Sequence, residues 1–131
     1  MILLNFSHPL ADSQRAQIEA LVGRSVDQII QIPVQFDVTQ SFIPQTEALV
    51  KAIPLTAEVL QTEQLLIVPP ALNFITAILL AYLHGIMGHF PAILRMRPVT
   101  GSTPTEFEVA EIINLQLIRD KARTSRTGKQ L

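Results

Sequence analysis

The chain has 131 residues, 48% of them hydrophobic, enough for one domain with a single core and too many for a disordered chain. It has no cysteine, which excludes disulfides, thiolate metal sites and cysteine nucleophiles and agrees with the cytoplasmic setting expected here. The net charge of −1 divides unevenly: residues 1–94 carry three basic and seven acidic side chains (−4), and residues 95–131 carry seven and four (+3).

The short apolar opening, residues 2–6, predicts a first strand, and Ser7-His8-Pro9-Leu10 a turn. It has no positively charged n-region and no long apolar h-region, so no secretory leader is expected. Residues 11–22 place Ile18, Leu21 and Val22 on one side with Gln and Arg between them, the pattern of an amphipathic helix, and Gly23 is a suitable stop. Residues 26–36 alternate, with Ile30, Ile32, Val34 and Phe36 on one face; Pro33 marks that strand as an edge or a bulge. Thr39 or Ser41 caps a second helix running to about residue 53, with Pro44 in its first turn. Residues 55–62 form a connection containing a turn of helix.

No Asp, Glu, Lys or Arg occurs between Glu63 and Arg95. Within that stretch Leu65-Leu66-Ile67-Val68, closed by Pro69-Pro70, predicts a strand buried on both faces. A helix from residue 71 to about 87 follows, apolar nearly all round, so it needs cover on more than one side. The sheet supplies one cover and a second copy of the chain is expected to supply the other. The two prolines break the run too early for a membrane span, and its flanks lack cationic bias. Residues 90–99 read as a fourth strand, with Ala92, Leu94 and Met96 facing one way and Ile93, Arg95 and Arg97 the other. After a loop at residues 101–104, a last helix is expected from Thr105 to about residue 123, then a basic, flexible tail over residues 124–131. Strands alternating with helices imply an α/β, Rossmann-like domain over residues 1–123. It has a mostly parallel sheet of about four strands and helices on both faces.

In such sheets ligands bind outside the carboxyl ends of the strands. Four loops are thereby nominated: 5–10, 37–41, 69–73 and 97–102. They supply the candidate ligand-binding residues Asn5, Ser7, His8, Asp37, Thr39, Pro70, Asn73, Arg97 and Thr100, and the strand before the last loop adds Arg95. Ser7 suits a phosphate oxygen, although a helix cap explains it equally; His8 suits an acid, a base or a stacking partner, and is the one candidate catalytic residue. Asn73 suits a nucleobase edge or a bond to turn backbone. Arg95 and Arg97, two apart on one strand face, form a fork for phosphates or the charged guard of an edge strand. His84 and His89 are five apart, the wrong spacing for a helical metal pair, and no metal site is expected. Tyr82 reads as a packing or interface residue. Neither a GxGxxG fingerprint nor a Walker lysine motif is present.

Three segments carry a resemblance: Asn5-Phe6-Ser7-His8-Pro9-Leu10, Leu83-His84-Gly85 through Gly88-His89-Phe90-Pro91, and Leu94-Arg95-Met96-Arg97-Pro98. Together they resemble small CRISPR-associated accessory proteins of type III systems, the Csx-fifteen type, which are similar to CARF (CRISPR-associated Rossmann fold) domains. The resemblance implies a role in antiviral defence and binding of a cyclic oligoadenylate, cyclic tetra-adenylate above all, at a subunit interface of a homodimer or higher homo-oligomer. It implies sequestration of that second messenger, or its cleavage by a ring nuclease through metal-independent attack of the ribose 2′-hydroxyl. It implies no cofactor, no DNA partner and no membrane. An interaction module without any nucleotide is the third reading.

Overall fold

A computed structural model describes residues 1–127. Its central sheet contains β1 (Ile2–Asn5), β2 (Gln28–Gln31), β3 (Leu65–Val68), β4 (Ala92–Pro98) and β5 (Phe107–Asn114), in the order β2-β1-β3-β4-β5. The first four run parallel, and β5 is antiparallel to β4. The fold is therefore α/β with a mostly parallel sheet, as the alternating units predict, but with five strands instead of about four.

The tetrad Leu65-Leu66-Ile67-Val68 shows why the sheet is covered on both sides. Successive side chains point to opposite faces. Leu65 and Ile67 enter one apolar cluster with Leu4, Ile30, Leu79 and Leu83. Leu66 and Val68 enter another with Leu3, Ile18, Leu94 and Val109. The single core expected from length is thus two cores divided by the sheet. Helices α2 (Phe42–Lys51), α3 (Ala57–Thr62) and α4 (Asn73–Met87) cover the first face, and α1 (Asp12–Val22) covers the second.

Local signals explain the helix ends. Gly23 and Gly88 close α1 and α4 with φ of 75° and 81°, a left-handed conformation that costs glycine little. Ser41, not Thr39, caps α2 by accepting a hydrogen bond from Ile43 N at 3.3 Å. The alternating stretch of residues 26–36 pairs with β1 over β2, an edge strand, and one further bond, Ile32 N to Asn5 O at 2.9 Å, ends the ladder just before Pro33. Beyond β2, Ile32, Val34 and Phe36 still pack on the first face.

The last helix is the main correction. The segment expected to be helical from Thr105 is strand β5 up to Asn114, and α5 (Leu115–Arg123) begins only there. A register shift between Arg95 and Met96 adds one residue to β5. Val109 and Ile112, three apart, therefore both meet the second core, where a regular strand would alternate. That spacing imitates a helix in sequence. Thr124–Thr127 continue α5 as a 3-10 turn, and the remainder of the expected basic tail lies outside the described residues. Among the described residues no helix is long and apolar enough to cross a membrane.

Candidate functional site

With β1 flanked by β2 on one side and β3 on the other, the chain winds away from β1 in both directions. Helix α1 lies on one face and α4 on the other. The exits of β1 and β3 therefore part at the carboxyl edge and leave a crevice at the switch point. Two cavities open there on either side of the loop that leaves β1.

The first, of about 320 Å³, lies towards β2 and is lined by Phe6, Ser7, His8, Gln31, Pro33, Phe36 and Pro70 among others. The second, of about 340 Å³, lies towards the β4–β5 hairpin and is lined by Ser7, His8, Pro9, Leu10, Val68, Met96 and Phe107 among others. Ser7 and His8 border both.

Asn5 shapes this loop instead of facing a ligand. It is fully buried, its Oδ1 accepts from Ser7 N at 2.9 Å and its Nδ2 donates to His8 O at 2.9 Å. An amide placed inside the strand end thus folds the following turn onto itself, which satisfies a buried polar side chain and fixes Ser7. The capping alternative for Ser7 does not hold: the N-cap of α1 is Ala11, whose N–H is met by the Gln14 side chain. Neither the Ser7 hydroxyl nor the His8 imidazole has a hydrogen-bond partner among the described residues, and His8 is exposed. Both are available to a ligand.

Pro70 contributes its buried ring to the wall of the first cavity. Asn73, the first residue of α4, is exposed, borders neither cavity, and accepts from Phe74 N at 2.9 Å, so the local role is the one observed. Asp37 and Thr39 close an exposed turn beside the crevice, outside both cavity walls: Asp37 Oδ1 accepts from Thr39 N at 2.9 Å and from Thr39 Oγ1 at 2.6 Å. Those bonds, the hydroxyl's first, hold the Asp37 carboxyl below its usual value. Thr100 lies in the exposed hairpin loop between β4 and β5, which leads into a strand and offers no helix N-terminus.

Arg95 and Arg97 share a strand face, as their spacing predicts, but they are not a free fork. Arg95 pairs with Glu111 at 2.7 Å and Arg97 with Glu108 at 3.0 Å across the β4–β5 ladder. A phosphate would have to compete with a carboxylate at each. Met96 and Phe107, absent from the sequence-based candidates, wall the second cavity because β4 pairs with β3 and β5, paired with β4, is tied to α1 through Gln14 and Gln17. His84 packs against Phe90 with ring centroids 4.3 Å apart and the rings tilted by 47°, and no cluster of three metal-ligating side chains occurs among the described residues.

No family model, curated protein or solved structure matches this chain.

Proposed function

We propose that the protein binds a cyclic oligoadenylate, cyclic tetra-adenylate in the first instance, in the switch-point crevice and lowers its free concentration by sequestration. The observation that carries this reading is the pair Ser7 and His8, unpartnered and set between two cavities at the carboxyl edge of a parallel sheet. The resemblance to small type III CRISPR accessory proteins supplies the identity of the ligand. Phosphates are served by the Ser7 hydroxyl and by the N-terminus of α4, where Leu72 provides no side-chain cap and only Phe74 N, held by Asn73 Oδ1, is already taken by a side chain. Bases are served by the apolar cavity walls.

Binding is favoured over cleavage by the surroundings of His8. No carboxylate or second imidazole lines either cavity to orient it as an acid or a base. A homodimer completes the picture. The outer face of α4 carries a groove of about 680 Å³ lined by Ala77, Ile78, Ala81, Tyr82, Gly85 and Ile86, with Ile43 from α2. Ligands with repeated units suit a two-fold site.

The test is incubation of the purified protein with radiolabelled cyclic tetra-adenylate. Retarded, intact ligand is expected. Linear products would replace sequestration with a ring nuclease, and no retardation would leave the interaction module. Ser7→Ala combined with His8→Ala is expected to weaken binding at least tenfold, a loss of about 1.4 kcal/mol.

A further inference from the structure

We infer that the second cavity is a slot for the purine ring of a nucleotide, with the β4–β5 hairpin as its selective wall. This rests on the nucleotide reading of the crevice and adds where, and by what, a base is held.

Both cavities are small, near the lower end of the roughly 300–1,000 Å³ typical of ligand clefts. At about 340 Å³ the second has room for one ring system, not for a chain of nucleotides. Its walls suit a flat, weakly polar ring. Met96 presents a flexible, polarizable thioether, which packs well against aromatic faces. Phe107 presents a ring that is 50% exposed, a large apolar surface left without a partner. Leu10 and Val68 line the remaining walls. Among the described residues no Lys, Arg, Asp or Glu lines it, so away from the Ser7–His8 border it offers a bare phosphate no charged partner. The polar groups stand at one border, Ser7 and His8, where a nucleotide's sugar and phosphate would leave for the first cavity.

The width of the slot is held by one of its own lining residues and by its neighbour one turn on. Gln14 spans it: Oε1 accepts from Ala11 N at 2.8 Å and Nε2 donates to Phe107 O at 2.8 Å, tying the start of α1 to the start of β5. Gln17, one turn on, accepts from Val109 N at 2.9 Å and fixes the same strand again. The slot is thus braced, as a stacking site requires if ordering a ligand is not also to order its walls. Gln14, itself part of the lining, uses one amide N–H and one oxygen lone pair in these bonds and is a positioning residue, while Ser7 and His8 are the polar groups whose side chains have no partner among the described residues.

The test is methyl NMR on the intact protein labelled at methionine, with assignment by Met96→Leu. Adenosine 5′-monophosphate and cyclic tetra-adenylate are titrated separately, with ribose 5-phosphate as the baseless control. A Met96 methyl shift with both adenine ligands and none with ribose 5-phosphate is expected, with Phe107→Ala weakening the adenine ligands at least fivefold. If the mononucleotide moves Met96 and the cyclic ligand does not bind, the slot stands and the cyclic-oligoadenylate reading falls. If the cyclic ligand binds while Met96 stays still and Phe107→Ala binds normally, the slot falls alone. If no ligand binds, or ribose 5-phosphate shifts Met96 equally, the slot falls.

Discussion

At the scale of single residues, the crevice depends on one side chain that no ligand touches. Asn5 is fully buried and makes two hydrogen bonds, to Ser7 N and His8 O. Asn5→Ala leaves both backbone groups without their partner, and a buried unsatisfied group costs about 1–3 kcal/mol. Urea denaturation of Asn5→Ala is therefore expected to show a loss in that range, with ligand affinity falling as well because Ser7 and His8 are released from their turn. A stable variant with unchanged affinity would show that the loop holds itself. Asp37 calls for a different readout. Its carboxyl is exposed and held below its ordinary value by the Thr39 hydroxyl and amide. A depressed native value means that the ionised form favours the folded turn. The contribution is present above the unfolded carboxylate value, about 3.9, and is lost as pH falls through the lower native value. Hydrogen exchange at the Thr39 amide is expected to be protected near neutrality, to lose that protection as pH falls through the lowered native value, and to lack it at every pH in Asp37→Ala. Protection that survives in Asp37→Ala would assign it to the backbone alone.

Among elements, the β4–β5 hairpin explains both what the sequence revealed and what it concealed. Strand β3 was legible because four adjacent apolar residues before two prolines have few other solutions. The loop that leaves β1 was nominated because ligands bind outside the carboxyl ends of parallel strands, and two cavities open beside it. The hairpin was not legible, because its bulge places Val109 and Ile112 on one face with a helix-like spacing, while Glu106, Glu108 and Glu111 around them suit a solvated helix side. With β5 unrecognised, Met96 had no visible partner, Phe107 had no site to join, and Arg95 and Arg97 looked free. Their ion pairs are half exposed, Arg95 and Glu111 each at 51%, so each pair is worth only about 0.2–1 kcal/mol. Arg97→Ala is accordingly expected to destabilise the fold by less than about 1 kcal/mol in a denaturant titration. Because Glu108 already occupies Arg97, its removal is also expected to leave ligand affinity nearly unchanged. A strong affinity loss, steeper at low salt, would mean that phosphate displaces Glu108 and would restore the fork.

For the whole molecule, the issue is what covers the outer side of α4. Its inner residues Ile75, Leu79 and Leu83 are fully buried, the last two in the cluster on the first face of the sheet, so the helix is anchored without its outer face. Yet that face has no charged side chain over its 15 residues, and Phe74 at its start is 68% exposed, with Ile43 beside the groove at 59%. Ala77, Ala81 and Gly85 recur every four residues and would let a second backbone approach closely. Because α4 starts at the crevice, the direction of pairing matters. Two copies related by an axis along the helices open both crevices at the same end, where one cyclic ligand can span them. An axis across the helices sends the crevices apart. Ala81→Arg places a charge in the centre of this face without touching the buried side. It is expected to shift the sedimentation coefficient to that of a monomer while leaving the denaturation midpoint of the monomer unaltered. In the ligand-spanning arrangement it also converts binding from one cyclic tetra-adenylate per two chains to one per chain with weaker affinity. A dimer that persists in Ala81→Arg would remove α4 from the interface, and an unchanged ratio of one ligand per chain in both proteins would confine the site to a single subunit.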